Sequence, residues 1–196
     1  MARTKKMASP VQFVDAAGGD EAKEEKIEAT WLDEKVFAQN SGSAQSVYEQ
    51  SRFGEVKGDK IIYSLVEALY LVEKEKMTVK DKNKAVNFDN FVRKARKVEQ
   101  NFWIRYIVFR DMRSRGYIVK TALKFGADFR VYERGVKPGD DHAKWILYPV
   151  HEGSGFTWYE LSAKNRVAHS TRKRLLLAVV DVEDDVTYLE LKWTRP

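Results

Sequence analysis

Residues 99–133 read EQNFWIRYIVFRDMRSRGYIVKTALKFGADFRVYE, and the change of period inside them decides the fold. In the first half Phe102, Tyr106, Phe109 and Met112 recur at three- and four-residue spacing, the apolar stripe of a helix expected from about Glu99 to Arg115. Gly116 suits the position just past a helix end. Beyond it the period falls to two, and Tyr117 to Lys120 and Phe129 to Glu133 read as strands. A helix running into strands of a half-buried sheet places the chain in the mixed α/β (α+β) class. The aromatic stripe reads as core packing.

Working outward, Pro138-Gly139 marks a turn before a strand over Trp145 to Val150. Leu161 to Arg172 reads as a helix. Leu175 to Val182 and Val186 to Trp193 read as a hairpin around Glu183-Asp184-Asp185. Toward the N-terminus, Phe88 to Val98 reads as a helix with Phe91, Val92 and Ala95 inward. Ser64 and Glu67 form a capping box opening a helix with Leu65, Leu69 and Val72 on its apolar side. Residues 28–63 read as short strands broken by Asn40-Ser41-Gly42-Ser43, with turns at Phe53-Gly54-Glu55 and Lys57-Gly58-Asp59. Residues 1–27 show no clean period and read as a flexible tail. The expected division is a tail over 1–27, an N-terminal α/β domain over 28–97 and a C-terminal domain over 98–196. There is no internal repeat.

The 196 residues suffice for one large domain or two small ones. Apolar residues at 43% and charged residues at 33% exclude collagen-like and wholly disordered classes. The longest apolar run, Leu175 to Val180, is strand-length, so no membrane span is expected. Met1 to Pro10 is polar and basic, without the apolar core of a signal peptide. Cysteine is absent, which excludes disulfides, a thiol nucleophile and Cys-based zinc sites and fits an intracellular, cytoplasmic protein. The net charge is +6, and residues 101–196 carry 17 Lys and Arg against 12 Asp and Glu. A basic surplus on one half of the chain points to a polyanion such as nucleic acid.

Several residues stand out chemically. Lys164, Arg166, Arg172, Lys173 and Arg174 form a cluster with no acid between 161 and 180. On a helix, Arg166, Ser170 and Lys173 share a face suited to phosphate and to stacking on a base. Of the three histidines, His169 falls within a helix and reads as structural, and His151 lies at a strand end. His142 follows the turn-rich loop Lys137-Pro138-Gly139-Asp140-Asp141, where general acids tend to sit. Asp140, Asp141 and His142 are adjacent, a poor geometry for one metal ion. Tyr132 lies in a strand with Arg130 and Arg134 nearby, cations able to aid proton transfer through its phenol. A competing pattern is Glu190-Leu191-Lys192, the acid-x-Lys half of a metal-dependent nuclease motif, without a clear upstream Asp. No nucleophile elbow, P-loop or dinucleotide fingerprint is present, and no cofactor is expected.

Three blocks resemble the archaeal tRNA-splicing endonucleases (tRNA-intron lyases): Tyr117 to Gly135, Asp141-His142-Ala143-Lys144-Trp145, and Arg166 to Val180. The likeness covers about residues 100–196. The segment from Val47 to Val79, with Tyr48 to Gly54 and Glu67-Ala68-Leu69-Tyr70, is similar to the family's N-terminal domain. Ala143 departs from the Ser that relatives often carry there.

The resemblance implies a nuclease-like three-layer C-terminal domain, a central mixed sheet flanked by helices. It implies an endonuclease that cuts precursor tRNA at bulge-helix-bulge introns without metal. The adjoining 2′-hydroxyl attacks the phosphate, leaving a 2′,3′-cyclic phosphate and a 5′-hydroxyl. The family's triad maps to Tyr132 as general base, His142 as general acid and Lys173 as stabiliser of the transition state. Its clamp on an unpaired base maps to Arg166 and, near the C-terminus, to Trp193, with Arg195 as the other candidate. A homotetramer is implied, or else a heterotetramer with a related structural subunit. Glu183, Asp184 and Asp185 match the family's acidic loop, which enters a basic pocket on another subunit. Asn40 to Ser46 is a site where a lineage-specific basic loop could be inserted. The alternatives in function are a non-catalytic RNA-binding subunit of such an assembly and a metal-dependent nuclease using Glu190 and Lys192.

Overall fold

A computed structural model describes residues 25–122 and 126–194. The chain opens with an antiparallel pair, β1 (Ile27–Leu32) and β2 (Lys35–Gln39), followed by helix α1 (Gly42–Ser51). Strands β3 (Glu55–Lys57) and β4 (Lys60–Tyr63) lead to α2 (Leu65–Glu73), then β5 (Met77–Asp81) and β6 (Lys84–Val86). These six strands form one sheet in the order β3-β4-β2-β1-β5-β6, with β1 and β5 parallel. Two helices follow, α3 (Phe88–Val98) and α4 (Phe102–Ser114). The second sheet comprises β7 (Ile118–Ala122), β8 (Ala127–Tyr132), β9 (Trp145–His151), β10 (Arg174–Val180) and β11 (Val186–Leu191), with α5 (Trp158–Ser170) between β9 and β10. Its order is β11-β10-β9-β8-β7, and only β9 and β10 run parallel.

The second sheet is the middle of three layers. Phe129, Val131, Leu147, Leu176 and Ala178 face α4, whereas Ile146, Tyr148, Leu175 and Leu177 face α5 and its buried Ala168. Near-continuous apolar β10 is the consequence of being covered on both faces. Helix α4 also packs on α2, so aromatic contacts run between the sheets: Phe53 to Tyr70 at 5.6 Å, Tyr70 to Phe109 at 5.9 Å and Phe109 to Phe129 at 5.9 Å. The stripe predicted on α4 is this core, with Phe102, Tyr106, Phe109 and Met112 all buried.

The capping box expected at Ser64 is present, and Glu67 does more than close it. Its carboxylate accepts from the backbone N–H of Ser64 and of Gly54, both at 3.0 Å, and from the Lys120 ammonium at 3.1 Å. Lys120 lies on edge strand β7 of the second sheet and also donates to the carbonyls of Arg52 and Gly54, each at 2.6 Å. Both charged side chains are buried, at 8% and 5% exposure, and the pair pins the edge of one sheet to the turn beside the other. Gly54 has φ +75°, and a Cβ there would meet Ile61 Cγ2 at 2.5 Å, so only glycine fits that turn.

Two expectations need correction. Residues 42–51 are a helix, not a strand-and-breaker segment. Ser41 caps it in an extended conformation, and Arg52 ends it in the left-handed region. Only Ala44 of α1 is buried, so no apolar period announced it, and tertiary context holds it. Asn40 and Ser41 precede α1, and Gly42 to Ser46 form its first residues. Residues 1–24 of the expected tail lie outside the described residues, and Ile27 already opens β1.

Candidate active site

Strand register brings the site together. Val131 of β8 lies opposite Trp145 of β9, and Trp145 lies beside Arg174 of β10. One position outward, the chain therefore aligns Tyr132, Lys144 and Lys173 across three neighbouring strand ends. Backbone bonds continue the pairing into this row: Lys144 N–H donates to Val131 O at 2.9 Å, and Arg174 N–H to Lys144 O at 3.0 Å. Neighbouring strands stand about 4.8 Å apart, so the three residues share one short edge.

Each is delivered differently. Tyr132 ends β8 on the α5 side and is buried at 5% exposure. The Arg130 guanidinium lies 6.0 Å from its ring centroid. Lys173 follows a helix stop in which Arg172 takes φ +57° and the Lys173 N–H returns to Ala168 O at 2.8 Å. That six-to-one bond is the Schellman closure, which turns the chain from α5 into β10. The Lys173 Nζ donates to Thr171 O at 2.9 Å. Burial, and then the positive Arg130, push the Lys173 ammonium below its ordinary range. His142 lies exposed in the loop entering β9, two residues before Lys144, and its backbone N–H donates to Asp141 Oδ1 at 2.6 Å. Lys144 itself pairs with Glu133 and lies 4.7 Å from the Trp145 ring. No spacing along the chain marks Lys144; only register places it between Tyr132 and Lys173.

The other candidates separate clearly. Arg166 is exposed on α5. Trp193 follows β11, is 41% exposed and stacks on His169, with ring centroids 5.5 Å apart. His169 lies within a helix as expected, exposed in the last turn of α5. Arg195 lies outside the described residues. His151 Nδ1 accepts from the Gly153 N–H at 3.1 Å, a turn contact. Glu190 is held by two donors, Trp145 Nε1 at 2.6 Å and Arg174 Nη1 at 2.8 Å. That engagement suits a structural ion pair, not a carboxylate open to a cation. Among the described residues, no three His, Cys, Asp or Glu side chains gather as metal ligands would.

In the hairpin between β10 and β11, Glu183 and Asp185 are exposed while Asp184 is half-buried. A cleft of about 300 Å³ opens elsewhere, where the α1–β3 connection meets β7 and β8; it is lined by Tyr48, Arg52, Lys120, Arg130 and Pro138, with Glu55 the one acid. Among the described residues, no helix is long and apolar enough to cross a membrane.

The arrangement is a mixed sheet whose strand ends present tyrosine and lysine beside a loop histidine. Comparison with known proteins specifies it further. Residues 102–188 match the tRNA intron endonuclease catalytic C-terminal domain, and residues 27–92 match the N-terminal domain of the same family. The tRNA-splicing endonuclease of Thermococcus onnurineus is 40% identical over 171 residues, covering 87% of this chain and 98% of that protein. That of Nanoarchaeum equitans is 44% identical over 138 residues, covering 67% and 88%. That of Methanothermobacter thermautotrophicus is 36% identical over 171 residues, covering 87% and 99%. The chain belongs to the tRNA intron endonuclease family.

Proposed function

We propose that this chain is a cytoplasmic tRNA-splicing endonuclease that cuts precursor tRNA at bulge-helix-bulge intron boundaries, with residues from about 98 onward as its catalytic part. The observation that carries this reading is the row of strand ends, with Tyr132, Lys144 and Lys173 side by side and His142 two residues ahead of Lys144. In-line attack at phosphorus needs a base and an acid on opposite sides and a fixed positive charge between them. Residues from three separate elements can surround one phosphate. Tyr132 takes the proton of the 2′-hydroxyl as that oxygen bonds to phosphorus. His142 gives a proton to the departing 5′-oxygen as the P–O5′ bond breaks. Lys173 meets the charge that develops on the pentacovalent phosphorus, and the arriving phosphate favours its charged form. The products are a 2′,3′-cyclic phosphate and a 5′-hydroxyl, and the step calls for no metal. Because the nucleophile is the 2′-hydroxyl, DNA is not a substrate.

Arg166 and Trp193 are the residues to clamp an unpaired base, since a guanidinium and an indole both stack on any base. Assembly follows the same reading. Glu183 and Asp185 project from a hairpin tip, and the cleft bearing Arg52 and Arg130 offers the opposite charge on a second copy. This contact is the one we propose for the homotetramer that the family resemblance implies, the alternative being a heterotetramer with a related structural subunit.

The test is cleavage of a bulge-helix-bulge RNA in EDTA by wild type beside His142→Ala, with product ends mapped. The expected result is cutting by wild type that leaves cyclic phosphate, and a loss of at least about 100-fold in the variant. Cutting that appears only with Mg²⁺ would overturn the mechanism. No cutting by the pure chain would point instead to a binding role or a missing partner subunit.

A further inference from the structure

Helix α5 ends at Ser170, and His169 in its last turn lies against Trp193, which sits beyond the end of β11. The ring centroids are 5.5 Å apart and the planes are inclined by 22°, an offset stack. Both side chains are exposed. Strand pairing ends at Leu191, so no ladder bonds hold the backbone at Trp193. Among the described residues, His169 is the only ring stacked on Trp193. An indole on such a segment samples several rotamers unless something fixes it, and ordering a free side chain at binding costs affinity. A flat ring has two faces. The imidazole lies over one, and the indole keeps 41% exposure. Arg166 lies one turn back from His169 on the same helix, within the spacing of neighbouring helical side chains.

We propose that His169 is a positioning residue for RNA: it backs Trp193, holding the indole so that its free face meets an unpaired base which Arg166 covers from the other side. The stack would then run imidazole, indole, base, guanidinium. This rests on the reading of Arg166 and Trp193 as a base clamp. The role needs a flat ring rather than a titrating group, so phenylalanine can replace histidine here. A merely structural histidine at a helix C-terminus, acting through its N–H or its charge, could not be replaced in that way.

The experiment measures affinity for a bulge-helix-bulge RNA with 2′-deoxyribose at the cut sites, so that binding is read without cleavage. The proteins are wild type, His169→Ala, His169→Phe, Trp193→Ala and the double alanine variant. All the substituted side chains are exposed, and melting temperatures check that the fold is kept. His169→Ala is expected to bind about five-fold more weakly, the size of one aromatic pair. His169→Phe should return to within about two-fold of wild type, and Trp193→Ala should lose about ten-fold or more, as for one stacked base. In the Trp193→Ala background, His169→Ala should add nothing further. Wild-type affinity in His169→Ala alongside weakened Trp193→Ala would overturn the role of His169 and leave the clamp standing. Tighter binding by His169→Ala would also overturn it, showing that the imidazole competes with the base. An unaffected Trp193→Ala would remove the clamp itself, and the proposal with it.

Discussion

The indole N–H of Trp103 on α4 donates to both carboxylate oxygens of Asp184, at 3.0 and 3.1 Å, across 81 residues of sequence. The bond ties the tip of the β10–β11 hairpin to the helix beneath it. Asp184 takes φ +64°, a strained conformation for a non-glycine residue. Asp181 Oδ1 holds the turn from inside by accepting from the N–H of Glu183 at 2.9 Å and of Asp185 at 3.0 Å. Trp103→Phe deletes the donor and keeps an aromatic ring beside Tyr106. The expected cost is about 1 kcal/mol, typical of one hydrogen bond at a part-exposed site. Urea denaturation reads it, and faster amide exchange confined to residues 181–185 identifies its source. Unchanged exchange there would show that the indole does not restrain the turn.

Because Asp184 is engaged within the chain, Glu183 and Asp185 are the exposed acids of this turn that the proposed assembly contact would use. The double variant Glu183→Gln/Asp185→Asn is expected to sediment as a smaller species than wild type at equal concentration. Raising salt should dissociate wild type in the same direction, since exposed charge pairs are screened. A variant that keeps the wild-type sedimentation coefficient would exclude this hairpin as the contact.

Lys120 and Glu67 make a different prediction. Lys120→Met leaves the Glu67 carboxylate buried without its cation, and Gly54 and Arg52 without a donor to their carbonyls. Breaking one side of a buried pair costs about 3–5 kcal/mol. The double variant Lys120→Met/Glu67→Gln should recover part of that loss, because no unpaired charge remains. Equal stability of the single and double variants would mean that the unpaired Glu67 carboxylate is not what destabilises Lys120→Met.

Acid stability follows from the same carboxyl. Burial pushes Glu67 up, but the Lys120 ammonium and the hydrogen bonds from Ser64 and Gly54 outweigh it and hold the group below its usual range. A carboxyl with a depressed folded pKa contributes stability that is present above the unfolded value of about 4.3. That contribution is lost as pH falls through the folded pKa. Wild type should therefore lose stability below about pH 4 more steeply than Lys120→Met/Glu67→Gln, as followed by circular dichroism. Parallel acid profiles would place the proton uptake elsewhere.

Much of this molecule was legible in its sequence where one element buries a single face. The stripe Phe102, Tyr106, Phe109 and Met112 announced α4, and the alternation in Phe129 to Glu133 announced β8. The Ser64–Glu67 spacing marked the start of α2, and the acidic turn between two apolar runs marked the β10–β11 hairpin. Helix α1 was not legible, because it buries Ala44 and otherwise half-exposed or exposed side chains. The strands Met77–Asp81 and Lys84–Val86 were not legible either, being only five and three residues long.

By itself, the sequence determined the fold class, the order of most elements and the residue types available for chemistry, since local periods and caps depend on neighbours a few positions apart. Only the tertiary structure decided that Lys144 lies between Tyr132 and Lys173, that Lys120 reaches Glu67, and that Glu190 is closed by Trp145 and Arg174. It also decided that His169 faces outward against Trp193. These are relations across strands and between layers. Strand order, register and packing set them, and none of these is carried by the spacing of residues along the chain.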